Sequence, residues 1–137
     1  MAEPPEEAIG QQRPSSVIKV GIVGPCGAGK STLAQVLRER GIAVHEIAQE
    51  HSGVPAMWER IARPDRLIYL HVSREVAEQR LERALPPDWW EEITARLAHA
   101  RAHASLIVET DNLTPDQVAE QVLEFLAATG ATAFTTK

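Results

Sequence analysis

The chain has 137 residues, 44% of them hydrophobic and 24% charged, which suits a globular protein with one sizeable core. Its net charge of −5 gives a nucleic-acid partner no electrostatic support, and the single cysteine, Cys26, rules out an intrachain disulfide. No apolar run approaches the ~20 residues that cross a bilayer, so no membrane partner is expected and the setting reads as reducing and cytoplasmic.

Residues 1–16, MAEPPEEAIGQQRPSS, are acidic and Pro-rich and lack the apolar centre of a signal peptide. They read as a disordered lead-in to one domain over 17–130, followed by a flexible tail over 131–137. Val17–Val23 is β-branched and alternating, the pattern of a buried strand. Residues 30–40 follow as a helix with Leu33, Val36 and Leu37 on one face, ended by Gly41. The segment 42–47, IAVHEI, is a second strand. Residues 55–62 read as a short helix with Pro55 in its first turn, stopping before Pro64. The third strand is RLIYLHV, 66–72. A helix over 74–85 is broken by PPD, and the next spans 88–103 with Trp90, Ile93, Leu97, Ala100 and Ala104 on one stripe. SLIVET, 105–110, is the fourth strand. The last helix opens with Thr114 as N-cap, Pro115 at its first position and Gln117 at its third, a capping box. Val118, Val122, Phe125 and Leu126 give it a buried face and Gly130 a stop. Strands alternating with helices imply a parallel sheet covered on both faces, with ligands at the edge where the strands end.

Between the first strand and the first helix, Gly24-Pro25-Cys26-Gly27-Ala28-Gly29-Lys30-Ser31 matches G-x-x-x-x-G-K-S/T. A phosphate chain needs several backbone N–H groups aimed into one concavity, and that curvature needs residues without a Cβ at Gly24, Gly27 and Gly29. The following helix presents its unpaired N–H groups and positive dipole end to the same phosphates. Lys30 reaches the β- and γ-phosphates, the Ser31 hydroxyl ligates Mg²⁺, and Thr32 donates to the α-phosphate. The turn therefore holds a nucleoside triphosphate. No Asn-Lys-x-Asp guanine motif occurs, which favours ATP over GTP.

With these residues in view, the chain resembles the P-loop nucleoside and nucleotide kinase-like superfamily. GIVGPCGAGKSTLAQVLRERG is similar to that family's phosphate loop and first helix. RPDRLIYLHVSREVAEQRLERAL is similar to the strand and helix that lead into the lid of thymidylate-kinase-like enzymes. HASLIVETDNLTPDQVAEQVLEFL is similar to the last strand and helix. The resemblance implies a three-layer α/β/α fold with a parallel sheet and ATP·Mg²⁺ as ligand. It also implies phosphoryl transfer to a small hydroxyl-bearing acceptor such as a nucleoside or nucleotide. Only about twenty residues separate the second strand from IYL, where the family carries a substrate-binding insertion and a further strand ending in a Walker-B-type acid. Losing that strand from the family order 2-3-1-4-5 implies four strands in the order 2-1-3-4. His71 stands where an Asp is common, and the lid is reduced to ALPPDWW.

Beside the first strand, the second would carry Glu46 and Glu50 toward the Mg²⁺ side as substitutes for the missing acid. One would hold a metal-bound water and the other accept a proton. Glu46, with Ser31, is assigned to the metal and Glu50 to the proton, against the plainer alternative of two surface carboxylates. Arg80 and Arg83, at i and i+3, share a helix face opposite Ala77, Leu81 and Ala84, and the resemblance makes them lid arginines that clamp phosphates. The loop from Asn112 to Thr114 falls where similar kinases hold adenine, although Thr114 also reads as a simple cap. Residues 52–57 occupy the shortened acceptor region, with Trp58 as a core anchor. His99 and His103 share the i, i+4 spacing of a metal pair, but no further ligands are visible. Cys26 occupies a variable loop position where oxidation would disturb binding. The rival to a kinase is a nucleotide-binding regulatory module with slow or no turnover. A homodimer completing the site in trans, with Trp89 and Trp90 as an exposed contact, is a further expectation.

Overall fold

The computed structural model describes residues 18–129. The expected lead-in over 1–16, the tail over 131–137 and the Gly130 stop lie outside them. The strands are β1 (Lys19–Val23), β2 (Ala43–Glu46), β3 (Arg66–His71) and β4 (Leu106–Glu109). The helices are α1 (Lys30–Glu39), α2 (Met57–Ala62), α3 (Arg74–Leu81), α4 (Pro87–Ala102) and α5 (Pro115–Ala128), and a single 3₁₀ turn covers Gln49–His51. The four strands are all parallel and run in the order β2-β1-β3-β4, as expected.

The pleat of the sheet sorts the core into two layers. On one face Val20 and Ile22 of β1 and Ile68 and Leu70 of β3 pack with Leu33 and Leu37 of α1 and with Val118, Val122 and Leu126 of α5. On the other face Val23, Leu67 and Tyr69 meet Trp58 of α2 and Ile93, Leu97 and Ala100 of α4. Gly21 lies on this second face, where an added Cβ would come within 2.9 Å of Ile47 Cδ1 and 3.0 Å of Pro64. The absent side chain lets the segments after β2 and before β3 close over β1. Among the described residues no helix is long and apolar enough to cross a membrane.

Beyond shifts of a residue or two at other element ends, three features differ from the sequence reading. The helix expected over 55–62 starts at Met57, because Pro55 belongs to the preceding turn. In the last helix, Phe125 is only half-buried, and Ala119 joins Val118, Val122 and Leu126 in the core. The third difference bears on the site: the helix expected over 74–85 ends at Leu81, with Glu82 in the left-handed conformation at φ 56°. Glu78 is the cause. Its carboxylate accepts a hydrogen bond from the Leu85 N–H at 2.7 Å, while Arg74 donates to the Leu85 carbonyl at 3.2 Å. These two bonds fold the chain back and bury Leu85. Leu81 and Ala84, expected in the core, are exposed. Trp89 and Trp90, expected to be exposed, are half-buried against the core.

Candidate functional site

The loop from Gly24 to Gly29 connects the end of β1 to α1 at the edge where all four strands end. Gly27 and Gly29 take φ of 85° and 94°, backbone that L side chains rarely adopt. Gly29 is the N-cap of α1 and no side chain caps the first turn, which leaves the leading N–H groups for an anion. Gly24 is held by close approach, since a Cβ there would fall 2.5 Å from the Leu70 carbonyl oxygen.

Lys30 turns back over this loop. Its Nζ donates to the Gly24 carbonyl at 2.7 Å and to Glu50 Oε2 at 2.9 Å. Glu50, in the 3₁₀ turn after β2, is only 4% exposed. Its other oxygen, Oε1, is buried with no hydrogen-bond partner among the described residues. A buried carboxylate oxygen without a donor is costly and calls for a partner that the described residues do not supply. The neighbouring Gln49 is buried and fully engaged: its amide donates to the Val54 and Arg96 carbonyls and accepts from the Trp58 N–H. It fixes the turn that presents Glu50.

The Ser31 hydroxyl donates to Glu46 Oε1 at 2.8 Å. Glu46 ends β2, and β2 lies beside β1, so strand order brings this carboxylate to the first turn of α1. Arg38, one helical face along α1, stands 3.5 Å from Glu46 Oε2. The paired hydroxyl and carboxylate oxygens are hard donors, the set that suits Mg²⁺.

On the opposite side of the loop, α3 packs through Ala77, whose Cβ lies 3.1 Å from where a Gly27 Cβ would be. One turn further along, Arg80 donates to the Gly27 carbonyl at 3.0 Å and to Thr110 Oγ1 and O at 3.1 and 2.6 Å. Arg83 does not share this face. The helix has ended, and Arg83 is exposed in the turn that follows. Arg80, Thr110 and the loop glycines border a cavity of about 420 Å³ that continues over Thr32, Leu33, Leu113, Pro115 and Val118. Asn112 is exposed and stands outside that lining, so the residues bordering the cavity between β4 and the first turn of α5 are Thr110, Leu113 and Pro115. Thr110 is buried at the end of β4 and donates its hydroxyl to the His71 carbonyl at 2.8 Å. A threonine closing an apolar strand at the ligand edge was the available sequence signal for it.

Asp111, next in the chain, accepts the Ser73 N–H at 2.9 Å, and this bond holds its carboxyl below the ordinary value of 3.8. His71 stands beside Arg101 at 3.3 Å and Glu109 at 3.6 Å. Arg101 lies over the Tyr69 ring, and burial pushes the Tyr69 hydroxyl upward from 10.0. Trp58 is a core anchor whose indole N–H donates to His99 Nδ1 at 3.0 Å, and His99 and His103 stack with ring centroids 4.3 Å apart. That contact commits one ring nitrogen of His99 to the indole.

Of the residues expected to act, Gly24, Pro25, Cys26, Gly27, Ala28, Gly29, Lys30, Ser31 and Thr32 form one continuous loop and helix start. Glu46, Glu50 and Arg80 converge on it, while Arg83 and Asn112 stand away from it. A protein-family model described as an AAA domain matches residues 20–110, and no curated protein matches the chain.

Proposed function

Since the chain belongs to the AAA-domain family of P-loop NTPases and is a nucleotide-binding protein of that type, we propose that it binds ATP·Mg²⁺ and transfers the γ-phosphoryl group to a small hydroxyl-bearing metabolite. The observation that carries this reading is Glu50, a buried carboxylate bonded to Lys30 through one oxygen and unpartnered at the other. A structural ion pair would satisfy both oxygens, whereas a general base needs one free for the acceptor hydroxyl.

The loop amides and the first turn of α1 receive the phosphates, and the adenine side lies in the apolar cavity bounded by Leu113 and Pro115. Lys30 exchanges the Gly24 carbonyl for phosphate oxygens while remaining beside Glu50. Arg80, anchored on Thr110, directs its charge at the loop and stabilises the charge that develops as the phosphoryl group moves. Ser31 and Glu46 would hold Mg²⁺, which neutralises phosphate oxygens when bound. Glu50 takes the acceptor's proton as the new oxygen–phosphorus bond forms and the bond from the γ-phosphorus to the ADP oxygen breaks, with ADP leaving.

The test is ADP release against a panel of hydroxyl metabolites, comparing wild type with Glu50→Gln. The variant should bind ADP as wild type does while turnover falls on the order of a hundredfold or more. Wild-type turnover in Glu50→Gln would remove the base role from this residue. The short connection between β2 and β3, filled by a 3₁₀ turn and a six-residue helix, supports the second reading, a nucleotide-binding module with slow turnover. Mg²⁺-dependent binding with no acceptor-stimulated release would favour it.

A further inference from the structure

We propose that Cys26, Glu50 and His51 form a site for a zinc-class divalent cation at the rim of the phosphate loop, separate from the Ser31–Glu46 oxygen pair. The loop supplies the thiol and the 3₁₀ turn supplies both other groups. The Cys26 sulfur, one Glu50 carboxylate oxygen and one His51 ring nitrogen all lie within 4.8 Å of one another. The Glu50 side chain that joins them is 5% exposed, and its Oε1 has no hydrogen-bond partner among the described residues. Lys30 and His51 Nε2, at 2.9 and 3.8 Å, both approach Oε2, so neither accounts for the other oxygen.

The donor set decides the metal class. Sulfur, imidazole nitrogen and one carboxylate oxygen suit Zn²⁺ and are poor ligands for Mg²⁺, which selects hard oxygens. Bonds of about 2.0–2.3 Å in a tetrahedron place ligand atoms roughly 3.3–3.8 Å apart, so about 1 Å of closure is needed. His51 can supply it by turning, because its side chain is 58% exposed, while Lys30 keeps Glu50 anchored. On binding, the Cys26 thiol gives its proton to solvent and the resulting thiolate coordinates the cation. Three protein ligands leave the fourth position open. The site engages the carboxylate that the transfer reaction would use and a residue of the loop that holds phosphates, so occupancy by zinc would silence turnover. Metal binding itself does not depend on whether a phosphoryl group is transferred.

The experiment uses the reduced full chain without nucleotide. Co²⁺ is titrated as a spectroscopic stand-in, and Zn²⁺ affinity is measured against a chromophoric chelator. Stoichiometric binding with a thiolate-to-cobalt charge-transfer band is expected, and millimolar Mg²⁺ should leave the band intact. Cys26→Ser should abolish the band. Cys26→Ser and His51→Ala should each weaken Zn²⁺ by at least about 100-fold, the upper end for losing a mere outer-shell partner. Circular dichroism of both variants, with ADP titration of His51→Ala, checks that the fold is kept. A wild-type protein without the charge-transfer band, or folded variants that hold Zn²⁺ as tightly as wild type, would overturn the proposal.

Discussion

Lys30→Ala withdraws an ammonium that stands 2.9 Å from Glu50 Oε2, in a pair with side chains 13% and 5% exposed. Glu50 would keep His51 Nε2 at 3.8 Å as a distant partner, and its Oε1 has none among the described residues. Breaking one side of a buried ion pair costs roughly 3–5 kcal/mol. Water entering the space left by the lysine stem favours the lower end, so a loss of about 3 kcal/mol in folding stability is expected. Glu50→Gln should cost about 1 kcal/mol, because Lys30 retains the Gly24 carbonyl at 2.7 Å and the amide fills the same volume. The double variant buries no lone charge and should be about 2 kcal/mol more stable than the sum of the single losses implies. Urea unfolding followed by circular dichroism, extrapolated linearly to water, gives all four stabilities. Calorimetric titration of folded Lys30→Ala with ADP and a non-hydrolysable ATP analogue should show affinity reduced at least about tenfold, or ~1.4 kcal/mol. Additive stabilities would refute the buried-pair argument. Unchanged nucleotide affinity in a folded variant would refute the phosphate-loop assignment.

Other perturbations read other parts of the site. Gly27→Ala would set a Cβ 3.1 Å from Ala77 Cβ in backbone at φ 85°, and a stability loss of roughly 1–3 kcal/mol is expected in the same urea assay. A loss below 0.5 kcal/mol (roughly the effect of an ordinary surface change) would mean that α3 does not seat tightly on the loop. Leu113→Trp fills the apolar cavity and should weaken ATP while leaving inorganic tripolyphosphate binding unchanged; equal weakening of both would place the base elsewhere. Asp111 has a lowered folded pKa, so its stabilising contribution is present above the ordinary value of 3.8 and is lost as pH falls through the folded value. Asp111→Asn should therefore flatten that part of the acid unfolding curve, and an unchanged acid limb would count against the Ser73 hydrogen bond.

The phosphate loop was legible because its chemistry is local: three glycines, a lysine and a hydroxyl serve one bound group within eight successive residues. Strand order was legible less directly. A connection of about twenty residues between strands leaves no length for an intervening one, and that places β2 beside β1. Glu46 and Glu50 followed from strand order, since both lie where β2 ends. The end of α3 was hidden because it depends on a Glu78 carboxylate accepting the Leu85 N–H, a side-chain bond that no helical periodicity records. The misplacement of Arg83 followed from that error. The cavity was hidden for a related reason. Leu113, Pro115 and Val118 belong to a loop and a helix that read as a cap and a core face, and only packing against Thr32 and Leu33 of α1 turns them into a lining.

The two sides of the site close over very different lengths of chain. Ser31 and Lys30 reach Glu46 and Glu50 across 15 and 20 residues, whereas Arg80 reaches the Gly27 carbonyl across 53. For a flexible chain, the entropic difference between closing 53 residues and closing 20 is roughly 0.9 kcal/mol. The lysine–carboxylate side can assemble within a single βαβ unit as the chain emerges during synthesis, whereas the arginine side must wait for α3 and for β4 with its Thr110 anchor. In the folded protein Arg80 is exposed while Lys30 is half-buried, so the Arg80 clasp is the expected first contact to open, ahead of the Lys30 hinge. A nucleotide would then enter and leave by the arginine side.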